Sequence, residues 1–469
     1  MSDNKKIFVL LPDGIGLRNF AYTNFYKIGL EKEFDITFWN ATPFDLSVLG
    51  FKEIKIVNPK THPLTDFYKN AQIQIELNEN IKRANDNVYD SYRFPFSGKT
   101  FKDRIKKTYI RWLIFTHNSQ KGLNRIKGKI SQNERKTKGY FDSLATLQAE
   151  KPAMVFCTNQ RVILAKAPIL AAQDLGIPTA TFIFSWDNLP KGVKIVDTDY
   201  YIVWSEHMKH ELQYYYPYIG EDQIFVTGSP QFEPHFDPLL LLSKETFFKN
   251  YQLDIAKKYI CFSGDDTTTS PNDPQYLNNV AQAINILNAK GYNLGIIFRR
   301  CPVDFSNRYD AVLEAHKTTI VSIQPQWEKV GESWNAILPT KKDLELQMNT
   351  IYHSELVINL GSSMVFDYAA FSKPCGFINY DVVNEQFPNW SVEKIYNFIH
   401  FRSMPNNDCV YWLNNPNGIA LQIENMLNKN DASVVTNAQK WFKKINQHPP
   451  EKASERIWDA IGKIISKEL

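Results

Sequence analysis

Long hydrophobic runs are missing from this chain. Its first residues, Met-Ser-Asp-Asn-Lys-Lys, lead straight into Ile7-Phe-Val-Leu-Leu11, five apolar residues. That is far short of a secretory h-region or of the ~20 residues that a transmembrane helix needs. Cysteine is scarce, odd in number and widely spaced, at 157, 261, 301, 375 and 409. This excludes a disulfide framework and a Cys-rich zinc site. Cys157, Cys261 and Cys375 fall in or beside strand-like runs, as buried thiols of a reducing cytosol would. A net charge of +4 is too weak by itself to argue for nucleic acid. No fixed-period repeat or low-complexity segment is visible. At 469 residues the chain exceeds one ordinary core, so two large domains are expected in a cytoplasmic protein.

What is present is an alternation of short apolar strands and helical spacings. Residues 7–11, ended by Pro12-Asp13-Gly14, read as a strand covered on both faces. A helical spacing over 15–30 and a strand at 34–39 follow, the opening of a doubly wound sheet. Residues 65–150 break the rhythm and look mostly helical, with a turn around Pro95–Gly98. Strands resume at 153–157, 179–184, 200–204 and 224–227. Gly228–Pro238, with three prolines, marks a domain boundary. Strands at 259–262, 294–298 and 319–323 and helices near 275–290, 306–317 and 342–350 repeat the pattern, and 418–468 is helical. The fold class is therefore α/β, with two Rossmann-like doubly wound domains facing a cleft, where ligands usually sit. The first domain spans 1–235 with a helical, basic insertion at about 65–150. The second spans 236–430, and helices over 431–469 follow.

Several loops carry chemistry. Residues 355–381 read as strand, Gly361-Ser362-Ser363 turn, helix and strand. The turn puts small residues and free N–H groups at a helix N-terminus, which suits a phosphate. Ser there also serves as an ordinary N-cap. Asp367 lies far enough into the helix to accept hydrogen bonds from a ribose. Arg299-Arg300 ends a strand, and two guanidiniums suit a diphosphate; a surface salt bridge to Asp304 or Asp310 is the alternative. Gly264, after the strand at 259–262, lines the same mouth. The adjacent Asp265 and Asp266 read as solvated loop aspartates, and no metal site is assigned.

In the first domain, Ser185-Trp186-Asp187-Asn188-Leu-Pro-Lys191-Gly192 joins a ring, a carboxylate, an amide and a cation. Sugar sites use that mixture; an Asx-turn with a core tryptophan is the alternative. Asp13-Gly14-Ile-Gly16-Leu-Arg18 lacks the full dinucleotide spacing, so it fails as an NAD fingerprint. It fits a close-approach loop, with Asp13 either a general base or a turn residue. From Lys99 to Lys138 there are thirteen Lys or Arg against two acids, around Tyr109-Ile-Arg-Trp-Leu-Ile-Phe115. Such a run fits an anionic membrane surface or a solvated helical face with one buried stripe. No nucleic-acid motif accompanies it.

Taken together, Phe184–Asn188 with Lys191-Gly192, Val203-Trp-Ser-Glu-His-Met208, Val226-Thr-Gly-Ser-Pro-Gln-Phe232, Arg299–Asp304 and Gly361–Asp381 resemble GT-B glycosyltransferases of bacterial surface-carbohydrate biosynthesis. That group shades into the CDP-glycerol glycerophosphotransferases. The resemblance implies a nucleotide-binding second domain, with Ser362 and Ser363 at the diphosphate, Asp367 at the ribose and Arg299 or Arg300 at the phosphates; Gly264 and Gly361 are the further candidates for the nucleotide there. It implies an acceptor-binding first domain, with Gly14, Gly16, Arg18, Trp186 and Asn188 at the acceptor and Asp13 or Asp187 as base. The last helices are expected to cross back onto the first domain. Many members place Glu at the ribose position; Asp367 here sits closer to the polyol-phosphate branch. The expected activity is sugar transfer from a UDP-sugar to a surface-glycan or lipid-linked acceptor at the inner face of the membrane, with no cofactor or metal. CDP- or CMP-linked polyol-phosphate transfer and nucleotide-sugar epimerisation are the alternatives.

Overall fold

The computed structural model describes residues 5–93, 100–329, 337–428 and 432–467. The Pro95–Gly98 turn and Lys99 lie outside the described residues. The chain divides into two compact units, 1–230 with 445–469, and 231–444.

The first unit is built on seven parallel strands: β1 Lys6–Leu11, β2 Asp35–Asn40, β3 Glu53–Lys55, β4 Met154–Cys157, β5 Thr179–Phe182, β6 Tyr200–Val203 and β7 Ile224–Val226. Their spatial order is β3-β2-β1-β4-β5-β6-β7. Residues 7–11 are fully buried, as a strand sandwiched by helices on both faces requires. The helical spacing over 15–30 becomes two helices, α1 Ile15–Phe20 and α2 Phe25–Glu31, separated by a turn at 21–24. Between β3 and β4 run α3 Thr65–Ala84, α4 Phe101–His117, α5 Gln120–Glu134 and α6 Lys138–Glu150, the expected insertion. Ala71 and Ile75 of α3, Ile110 and Leu113 of α4, and Leu123, Ile126 and Ile130 of α5 form its own small core. α7 Lys166–Asp174 and α8 Glu206–Tyr215 complete the crossovers.

The second unit opens with α9 Lys244–Asn250 and holds six parallel strands: β8 Lys258–Ser263, β9 Leu294–Arg299, β10 Ile320–Ile323, β13 Ser354–Asn359, β14 Cys375–Ile378 and β15 Tyr411–Leu413. Their order is β10-β9-β8-β13-β14-β15. β11 Glu328–Lys329 and β12 Ile337–Leu338 form a separate antiparallel pair. The helices are α10 Asp273–Ala289, α11 Asp310–Ala315, α12 Lys341–His353, α13 Met364–Ala370, α14 Val392–Tyr396, α15 Ile419–Leu427 and α16 Ala432–Ile445. The five cysteines are free thiols, and among the described residues no helix is long and apolar enough to cross a membrane.

The two C-terminal helices part company, where the sequence treated 431–469 as one block. In α16, Trp441 donates to Ser403 Oγ (2.8 Å) and meets Phe366 edge-on (4.8 Å), inside the second unit. The last helix, α17 Ala453–Ser466, belongs to the first. Its Trp458 is fully buried, stacked on Phe25 (4.6 Å) and Phe34 (4.7 Å), and donates to Phe25 O at 2.7 Å. Trp458→Ala is expected to destabilise the first unit by about 3–5 kcal/mol, read from urea unfolding. An unchanged midpoint would show that α17 is not docked this way.

Candidate functional sites

In each sheet the strand order reverses once, between β1 and β4 in the first and between β8 and β13 in the second. Loops leaving the C-terminal ends of two such strands diverge to opposite faces and leave a crevice, the usual ligand position in open α/β sheets. The predicted loops after β1, β8 and β13 lie at these two points.

In the first unit, Asp13 leaves β1 and Asn159 leaves β4. Asn159 Nδ2 donates to Asp13 Oδ2 at 2.9 Å, across the reversal. Gly16 is there because α1 presses on the β4 exit: a Cβ would stand 2.6 Å from Thr158 Oγ1. Asp13 is buried, and its Oδ1 has no hydrogen-bond partner among the described residues. Burial pushes its carboxyl up to about 6, against the lowering effect of the Ile15 and Gly16 amides, Arg161 and Asn159. Gly14 caps α1, and Arg18 lies half-buried in its last turn.

The loop after β5 is tied to the same place. Gln160 Nε2 donates to Asn188 Oδ1 (2.9 Å), and Gln160 Oε1 accepts from Phe184 N (2.8 Å). Asp187 accepts from Asn188 Nδ2 (2.8 Å) and pairs with Lys191. Its carboxylate is therefore engaged within its own loop, and Trp186 is buried at 9% exposure. Both are features of the structured-turn alternative. Asn159 and Gln160 were not singled out from sequence; the signal available was their position directly after a buried strand.

In the second unit, Gly264 leaves β8 with its N–H on Arg299 O (2.9 Å). Asp265 departs in part from the sequence reading: the residue is half-buried, and its Oδ2 is buried with no partner among the described residues. Burial, then Asp273 and Asp266, hold its carboxyl well above the usual range, with Arg308 opposing. Arg308 instead bonds the Asp265 backbone carbonyl (2.6 Å) and the Asp304 carboxylate (2.7 Å). Asp273 accepts from Asp265 N (2.9 Å) and Tyr309 OH (2.8 Å), and burial raises it to about 6.

Arg299 and Arg300 have protein partners other than those foreseen. Arg299 Nη2 bonds Asp343 Oδ2 (2.8 Å), while its buried Nη1 has no partner among the described residues. Arg300 Nη1 bonds Ser306 O (2.9 Å), its guanidinium lies 5.1 Å from the Tyr309 ring centre, and its Nε is likewise without a partner. At the β13 exit, Gly361 has φ +63°, a left-handed conformation that glycine adopts without strain. Ser362 N bonds Asn359 Oδ1 (2.8 Å), and Ser363 opens α13 without a side-chain cap. α13 has only seven residues, so its dipole is short. Asp367 Oδ1 accepts from His235 Nε2 at 2.7 Å, both groups buried. His235 sits in the stretch that the sequence marked as a boundary, so proline content hid it.

One Asp-x-Asp spacing does occur, at Asp197-Thr198-Asp199. Asp197 pairs with Lys194, and Asp199 accepts from Thr179 N and Oγ1 (2.9 and 2.7 Å). Among the described residues no three His, Cys, Asp or Glu side chains are grouped to hold a metal ion.

The Asp13 shift has a definite sign. A carboxyl that binds its proton more tightly when folded contributes stability fully below its ordinary 3.8, and that contribution is lost as pH rises through about 6. Asp13→Asn should therefore change stability little at pH 4 and raise it by about 2–3 kcal/mol at pH 8. Urea midpoints at both pH values test this; equal effects would remove the burial argument.

No protein-family model and no curated protein sequence matches the chain significantly. Solved structures do match. A putative UDP-N-acetylglucosamine 2-epimerase from Listeria monocytogenes superposes with a TM-score of 0.53 at 11% identity, over 98% of this chain and 96% of that one. The S. aureus MnaA–UDP complex gives 0.52 at 13%, over 98% and 97%. A glycosyltransferase from Rickettsia africae gives 0.52 at 10%, over all of both chains. The chain thus has the two-unit α/β architecture of the GT-B fold.

Proposed function

We propose that this chain is an enzyme acting on a UDP-linked sugar, with the nucleotide held by the second unit. One observation carries the reading: among the buried polar atoms without a partner in the described residues, four lie at the strand-order reversals and the neighbouring β9 exit. These are Asp13 Oδ1 in the first unit, and Asp265 Oδ2, Arg299 Nη1 and Arg300 Nε in the second. Buried polar atoms in native structures are normally paired, so unpaired ones in strand-end loops point to a ligand. Guanidinium N–H groups suit phosphate oxygens. They are given the diphosphate in preference to the short α13 tip.

Epimerisation is the favoured chemistry. Inverting a carbon centre requires one group to remove a proton and another to return one, each with a proton affinity near neutrality. Asp13, raised to about 6 with its Oδ1 unpartnered among the described residues, meets that requirement for one such group. One of the three structures described above points the same way, a putative UDP-N-acetylglucosamine 2-epimerase; a second, a complex with UDP, supports the nucleotide. Glycosyl transfer is the second reading, favoured by the full-length likeness to the Rickettsia glycosyltransferase. In it the guanidiniums of the second unit neutralise the leaving diphosphate.

UDP at one hundred times its dissociation constant should add about 2.7 kcal/mol of stability, seen as a rise in Tm. CDP is the comparison. UDP-N-acetylglucosamine in D2O, followed by NMR, separates the chemistries: deuterium entering the sugar ring marks epimerisation, and UDP release only with an added acceptor marks transfer. Asp13→Asn should lower turnover by about 100-fold or more and keep the UDP response. No Tm response to either nucleotide would defeat both readings.

A further inference from the structure

α4 is apolar on two opposite faces. Ile110 and Leu113 turn inward to the α3–α5 core. Phe101, Ile105, Trp112 and Phe115 are exposed, at 76%, 55%, 54% and 84%. At 100° per residue, positions 101, 105, 108, 112 and 115 fall within about 40° of one line along the helix. The exposed residues therefore make one continuous stripe about four turns long. The fifth member is Thr108, whose hydroxyl bonds Arg104 O (2.9 Å); Thr116 beside the stripe likewise bonds Trp112 O (2.9 Å). Neither hydroxyl would lose a partner if the face left water. A capping box, Thr100 with Asp103, fixes the start of the helix. Ile110 and Leu113 are the one buried stripe that the plainer sequence reading expects; the apolar residues on the solvated face are what that reading leaves without a role.

Exposed cations accompany the stripe on α4 and on the next helix. Lys102, Arg104 and Arg111 on α4 are exposed, and Lys121, Arg125 and Lys129 are exposed at i, i+4 and i+8 of the next helix, α5. Other cations of the run are committed to carboxylates outside it: Lys106 to Asp66, Lys127 to Glu76, Arg135 to Asp174 and Lys138 to Asp142. Lys102, Arg111, Lys121, Arg125 and Lys129 are what the surface of α4 and α5 offers a partner.

We propose that the outer face of α4 docks on an anionic lipid bilayer, with Phe101, Ile105, Trp112 and Phe115 entering the headgroup–acyl boundary and the flanking cations meeting lipid phosphates. Aromatic residues flanked by Lys and Arg on a helix lying flat are the chemistry of interfacial attachment, and each cation near an anionic surface strengthens it. Charge selects the bilayer over a second copy of this chain, because two copies joined face to face would bring the same cations together.

The test is co-sedimentation of the full chain with vesicles of phosphatidylcholine alone or with 30% phosphatidylglycerol (about 150 mM salt, then about 500 mM). Binding is expected to the anionic vesicles only and to weaken in high salt. Trp112→Ser with Phe115→Ser, and separately Lys121→Glu with Arg125→Glu, should each weaken it about tenfold or more. All four residues are exposed, so the variants should fold, and the Tm response to UDP serves as the control. Binding equal on both vesicles, no binding to either, or unchanged binding by both variants would overturn the proposal. So would a concentration-dependent dimer that Trp112→Ser with Phe115→Ser abolishes.

Discussion

A sheet of parallel strands whose spatial order reverses must leave a gap where the reversal occurs. The loops from β1 and β4 turn to opposite faces, as do those from β8 and β13, and neither pair can cover its own strand ends. The polar character of each gap follows from that geometry. Strand interiors such as residues 7–11 and 259–262 are uniformly apolar because helices cover both faces. Asp13, Asn159, Asp265 and Ser362 come at the first positions after the strands where a polar group has room. Each gap then sets its own electrostatics. In the first, one carboxyl faces an amide; in the second, three aspartates crowd around one arginine.

The fold was legible because its signals are strong and local. Runs such as Ile7–Leu11 and Tyr259–Phe262 announce buried strands, and the helical insertion announces itself by its break in rhythm. β3 and β15 were not seen: each is a three-residue edge strand, too short for a period to register. α1 and α2 were read as one helix because the Ala21–Asn24 turn contains no proline or glycine.

The candidate residues were legible by position and much less by partner. That a guanidinium at the β9 exit matters could be read from sequence. That Arg299 would take Asp343, 44 positions away, could not, since that pairing depends on a loop brought back by the sheet. The same holds for Asp367 and His235, separated by 132 positions. Asp265 was read only in part for a physical reason: adjacent aspartates in a loop are usually hydrated, and this one is half-buried with its backbone N–H held by Asp273, eight positions on.

The return of α17 to the first unit bears on how the chain is made. Residues 231–444 form an uninterrupted stretch that is complete once the ribosome has passed them. The first unit, begun earlier, stays unfinished until Trp458 emerges. Until then the rings of Phe25 and Phe34 lack the indole that stacks on both. The half synthesised first is thus the half that closes last, and a nascent chain halted near residue 444 presents a finished rear half behind a front half with an open apolar seam.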